Sequence, residues 1–127
     1  MSNDLLVEGD TGNWVLDNNN TLLIYIPTYL DANEAVSFRR AFECFCESAQ
    51  PPSKATLDFS RTRFLDSGGI GALANIIKMS KINGIELTVS KITTQVYSVL
   101  KMTKLDSLLR IDITEVVVHE SVIEALG

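Results

Sequence analysis

With 127 residues and 46% hydrophobic side chains, the chain has material for one domain with a real core and is too apolar for a disordered tail. A formal net charge of −5 and the lack of any Lys/Arg cluster exclude the electrostatic footprint of a nucleic-acid-binding protein. The opening "MSNDLLVEGDTGNW" has no basic region ahead of an apolar one, and no stretch reaches the roughly 18 unbroken apolar residues of a membrane span; a soluble cytoplasmic protein without membrane insertion is expected.

In chain order, "NWVLDNNNTLLIYIP" predicts two strands around an asparagine turn, because Asn tolerates left-handed backbone angles and Leu22 to Ile26 is rich in β-formers. Pro27 closes the second strand, since it cannot donate to a ladder. Ala35, Phe38, Phe42, Phe45 and Ala49 then recur at spacings of three and four and predict an amphipathic helix, capped by Asp31 or Asn33 and stopped by Pro51 and Pro52. Cys44 and Cys46 fall inside it, two positions apart and so on different sides, which predicts free thiols in place of a disulfide or a metal pair.

"KATLDFS" reads as a short strand running into "TRFLDSGGIGAL". After that polar clasp, Ile70, Leu73, Ala74, Ile77 and Met79 or Lys81 predict a helix that ends at Asn83-Gly84. "IELTVS" follows as a strand, and "TTQVYSVLKMTKL" as a helix with Val96, Val99, Leu100 and Thr103 on one side. "EVVVH" is the last strand and "ESVIEAL" a terminal helix. Helical crossovers between successive strands predict an α/β domain: a mixed, mostly parallel sheet begun by an antiparallel hairpin and covered by about four helices.

The clasp invites four chemistries. A strand followed by glycines and a helix start suits a phosphate, yet "GGIG" is neither G-x-G-x-x-G nor a P-loop, and no lysine stands where outer phosphates would need it. Ser67 as a hydrolase nucleophile lacks the G-x-S-x-G context, and the only histidine, His119, lies far along the chain beside three valines. One histidine and two mispositioned cysteines leave no metal site and no cofactor implied. The simplest reading is that Asp66 or Ser67 caps a helix and Gly68 and Gly69 permit a tight turn, though glycines in a helix cost up to roughly 1 kcal/mol each relative to alanine, so a closely approached surface is expected there.

Taken together, "LDFS", "FLDSGGIG", "NGIELTV" and "VYSVLKMTKLDSL" resemble, in order and spacing, the STAS domain of the anti-sigma factor antagonist family; upstream, "LLIYIPTYLDANEAVSFRRAF" resembles its second strand and first helix. The resemblance covers residues 13–126 as one STAS-like domain and leaves 1–12 as an N-terminal extension. It implies a protein-binding switch and no enzyme. In this family the hydroxyl residue after the aspartate is phosphorylated by a serine kinase that is an anti-sigma factor, and a PP2C-type phosphatase reverses it. That role falls on Ser67, with Asp66, Gly68, Gly69, Ile70, Tyr29 and Asp31 as partner-binding positions and a homodimer as a further association. Two departures stand out: Gly68 occupies the place of a second hydroxyl, and Thr28 that of a glycine. The Arg61/Arg63 pair reads either as a solvated strand end or as a docking contact, and Tyr29 and Leu30 as interface or packing. The rival function within the family is a scaffold subunit docking on an ATPase or transport complex; a small-ligand domain using the helix start as an anion site is a third.

Overall fold

The computed structural model describes residues 5–9 and 12–111, with side chains from Trp14 to Leu109. A sheet of strands β1 (Leu5–Gly9), β2 (Gly12–Leu16), β3 (Thr21–Tyr25), β5 (Lys54–Asp58), β7 (Glu86–Ser90) and β8 (Arg110–Ile111) forms the centre, in that spatial order. The intervening elements are a two-residue strand β4 (Tyr29–Leu30), helix α1 (Ala32–Cys46), a second two-residue strand β6 (Phe64–Leu65), helix α2 (Ser67–Ile82) and helix α3 (Thr94–Met102).

The predicted hairpin is present: β2 and β3 are antiparallel, with Trp14 opposite Ile24. Its turn is organised by the Asp17 carboxylate, which accepts from the amides of Asn19 and Thr21, both at 2.9 Å. Of the three asparagines only Asn20 takes the left-handed conformation, at φ 60°. Within residues 1–12, which the sequence reading left as an extension, Leu5–Gly9 adds an antiparallel strand to β2.

From β3 onward the pairing is parallel, and each crossover helix delivers the chain to the next strand in the same direction, β3 to β5 to β7 to β8. Right-handed connections in one direction place α1, α2 and α3 on a single face. On that face Leu22, Ile24, Ala55, Leu57 and Val89 form one core with Phe38 and Phe42 of α1, Leu73, Ile76 and Ile77 of α2 and Val96 and Leu100 of α3. Trp14 closes the hairpin side, its ring stacked on Phe45 at 5.7 Å and tilted against Phe38 at 5.4 Å. Three α-helices and a 3-10 turn at Leu105–Leu108 are present among the described residues; the predicted strand "EVVVH" and fourth helix "ESVIEAL" lie outside them.

Helix phases differ from the sequence expectation in instructive ways. In α1 the buried residues are Phe38, Phe42 and Cys46, with Ala35 and Phe45 partly covered, and the helix ends before Ala49, several residues short of the two prolines. Cys46 is buried and Cys44 exposed, both free thiols as expected from their spacing. In α2 the buried line is Gly69, Ala72, Leu73, Ile76, Ile77 and Ser80, whereas Ala74 and Lys81 are exposed. Ser80 tolerates the interior because its hydroxyl donates to the Ile76 carbonyl at 2.8 Å. Asn83-Gly84 stops α2 as predicted: Gly84 has φ 68°, and the Ile85 amide reaches back to the Ser80 carbonyl at 2.8 Å, the Schellman arrangement.

Candidate functional site

The clasp lies where β5 ends and the chain passes through β6 into α2. Buried Asp58 begins the excursion by accepting the Ser60 amide at 2.8 Å, and the buried Thr62 hydroxyl donates to the Ile26 carbonyl at 3.2 Å. These bonds bring the segment alongside the chain leaving β3. The Thr28 carbonyl accepts from the amides of Arg63 at 2.8 Å and Phe64 at 3.1 Å, and β4 and β6 pair in parallel with Tyr29 opposite Phe64 and Leu30 opposite Leu65. Neither short strand was among the elements expected from the sequence, which had Pro27 closing one strand and "KATLDFS" running directly into the clasp.

Asp66 holds the junction together. One carboxylate oxygen accepts from the Gly69 amide at 2.9 Å and caps α2; the other accepts from the Ala32 amide at 3.1 Å, the first residue of α1. Asp31 caps α1 from its own side through the Glu34 amide at 3.0 Å. Two helix N-termini therefore converge on one carboxylate, and their partial positive charges favour its ionised form. The Gly69 amide first, and then that of Ala32, hold the Asp66 carboxyl below the ordinary carboxylate range, against partial burial that pushes the other way. A depressed folded-state pKa stabilises the protein above the unfolded value of about 3.9, and that contribution is lost as the pH falls through the folded value. The wild type is expected to lose urea midpoint below about pH 4, and Asp66→Asn, which retains a capping oxygen, to show a flatter acid limb; equal acid limbs would remove Asp66 from the titration.

The glycines are occupied by the chain itself. A Cβ on Gly68 would stand 2.6 Å from the Ala32 Cα, and one on Gly69 would collide with the Leu30 carbonyl oxygen. Gly69 is buried and Gly68 half-buried, so the bare surface expected at this turn is used to seat α2 against α1 at Ala32 and against β4 at Leu30. Ile70 is half-buried against the core and Leu30 is fully buried, so Leu30 packs inside and has no outward face. Gly71, one turn on, meets nothing within 4 Å.

Ser67 is exposed as the first residue of α2, and its hydroxyl makes no hydrogen bond among the described residues. Beside it the structure adds features that sequence reasoning did not single out. Phe64, 48% exposed, contacts Tyr29, 60% exposed, with ring centroids 6.4 Å apart. A shallow groove of about 200 Å³ runs between the two helices, lined by Val36, Arg39, Gly68, Gly71 and Asn75 among others. The available signal was Phe64 itself, an aromatic in a polar segment. Arg61 lies over the Tyr25 ring, 4.4 Å from its centroid. His119 lies outside the described residues; among the described residues no cluster of three or more His, Cys, Asp or Glu is placed to hold a metal ion, and no helix is long and apolar enough to cross a membrane.

A family model of the STAS domain matches residues 15–120. The chain belongs to the STAS domain family. Solved STAS structures similar to it include a putative anti-sigma factor antagonist from Thermotoga maritima, at 20% identity and TM-score 0.65 over 96% of this chain and 92% of that one. The anti-sigma factor antagonist SpoIIAA of Bacillus, in its unphosphorylated form, is similar at 15% identity and TM-score 0.60, over 97% of this chain and 96% of that one. A sulfate transporter family protein from Wolinella succinogenes is similar at 16% identity and TM-score 0.65, over 76% and 75% of the two chains. At these identities the likeness establishes the STAS fold.

Proposed function

We propose that this STAS domain is a partner-binding switch of the anti-sigma factor antagonist type, with Ser67 as the phosphoacceptor. The observation that carries the reading is an exposed serine hydroxyl at the first position of α2, on a junction where Asp66 binds two helix N-termini. A phosphate there meets helix-end amides that favour an anion, so modification need not unfold the domain. It also adds about −1.5 to −2 charges beside Asp66, on a face meant to dock, and this repels and desolvates a bound partner. The unmodified form then binds a serine kinase that is an anti-sigma factor, the modified form releases it, and a PP2C-type phosphatase resets the switch. Tyr29, Asp66, Ser67 and Ile70 lie along the docking face, while Asp31, Gly68 and Gly69 shape it from behind.

Incubation with anti-sigma serine kinases and ATP, followed by mass spectrometry, is expected to place one phosphate on Ser67. Absence of label there with every such kinase tested would remove the phosphoswitch. The likeness to the Wolinella sulfate transporter family protein, and the single hydroxyl left by Gly68, favour a second reading in which the same face docks constitutively on a transport complex. Co-purification with a membrane ATPase or transporter, and with no kinase, would establish that reading instead.

A further inference from the structure

We infer that the β4–β6 ribbon is the affinity-determining half of the docking face, and that it receives from the serine kinase an apolar side chain flanked by carboxylates. This rests on the switch reading and names the partner chemistry of the same face. Tyr29 and Phe64 are exposed, yet held in contact with one another on a ribbon fixed by the Thr28 carbonyl and the buried Thr62 hydroxyl. Such a pair is already ordered, so covering it gains aromatic burial with little side-chain entropy to lose. Phe64 lies three residues before Ser67, at most about 11 Å along an extended chain. A standard interface covers about 800 Å² per partner, a footprint wide enough that a protein seated over Ser67 also covers the ribbon.

Charge selects the occupant. The chain as a whole is at −5, yet the ribbon is entered through Arg61 and Arg63, both exposed. Three carboxylates of this region accept from backbone amides: Asp58 from Ser60, Asp31 from Glu34, and Asp66 from Gly69 and Ala32. Arg61 stacks on Tyr25, and among the described residues neither arginine is in an ion pair. An acidic rim around an apolar anchor is therefore the matching surface. The same arrangement explains release: a phosphate on Ser67, at −1.5 to −2, offsets the two arginines and leaves acidic groups of the partner facing a neutral or negative rim.

The test is titration calorimetry of the full chain against anti-sigma serine kinases, with Tyr29→Ala/Phe64→Ala, Arg63→Glu and Ser67→Asp alongside wild type. The aromatic double variant is expected to bind about 30-fold more weakly with an unchanged thermal midpoint, the loss typical of an interface hot spot. Arg63→Glu is expected to weaken binding and to flatten its salt dependence. Unchanged affinity of the aromatic variant, with Ser67→Asp still impaired, overturns the ribbon and leaves the switch standing. Loss in the aromatic variant with Ser67→Asp unimpaired does the reverse. If wild type binds none of the kinases, both fall. A wild-type dimer in analytical ultracentrifugation that dissociates on Tyr29→Ala/Phe64→Ala would assign the ribbon to a second copy of this chain and overturn the kinase as its occupant.

Discussion

Gly69→Ala is expected to lower stability by about 3 kcal/mol, at the upper end of typical overpacking costs, or about 10 °C in thermal midpoint for a domain of this size. A methyl group there runs into the Leu30 carbonyl, which belongs to backbone and cannot rotate away. Relief requires α2 to withdraw from the β4–β6 ribbon, which stretches the Asp66 bonds to Gly69 and Ala32 together. Gly68→Ser, which restores the second hydroxyl seen in the resembling family, is expected to cost about 1–2 kcal/mol because its Cβ would meet Ala32 at 2.6 Å. Gly71→Ala is the internal control: nothing stands within 4 Å, and removing a helix glycine is expected to raise stability by up to about 1 kcal/mol. Chemical denaturation of the three variants separates close approach from helix propensity. If Gly69→Ala is as stable as Gly71→Ala, α2 does not seat on the Leu30 backbone at this turn.

Phosphorylated Ser67 is expected to bind the serine kinase at least about 100-fold more weakly than the unmodified protein, about 2.7 kcal/mol, while Ser67→Ala retains wild-type affinity. Like charges brought face to face in an interface cost several kcal/mol, and a phosphate dianion must also shed water to be covered. Ser67→Asp carries one charge on a shorter arm and is expected to lose less, about tenfold. Far-ultraviolet dichroism should be unchanged in all three, because a negative charge at the first position of α2 agrees with the helix dipole. Equal affinities for the modified and unmodified forms would sink the switch and leave the constitutive docking reading.

Much of this was legible in the chain because the signals are local. The hairpin, the helix cap expected of Asp66 or Ser67 and supplied by Asp66, and the Asn83-Gly84 stop each depend on residues within a few positions of one another. Helix phase was less legible. In α2 the apolar residues cover enough of the circumference that Ala74 and Ile76 are equally good inward candidates by spacing, and only the seat of Gly69 against Leu30 selects the second. The ribbon was invisible for another reason: two residues in each strand are too few to show a period, and their pairing is stabilised by carbonyls elsewhere in the chain.

Sequence alone identified the α/β class and the order of its main elements, since both follow from short-range hydrogen bonding and hydrophobic spacing, whereas Ser67 was singled out only through the family resemblance. The purpose of the glycines did not follow. They looked like bare ground for a visitor, and they seat the start of α2 against Ala32 of α1 and Leu30 of β4, with Asp66 and Ala32, 34 residues apart, joined across the junction. That meeting exists because successive right-handed crossovers lay both helices on one face of the sheet with their N-termini at the same end. No local pattern carries such information; it is a consequence of packing, and it also brings Tyr29 to Phe64.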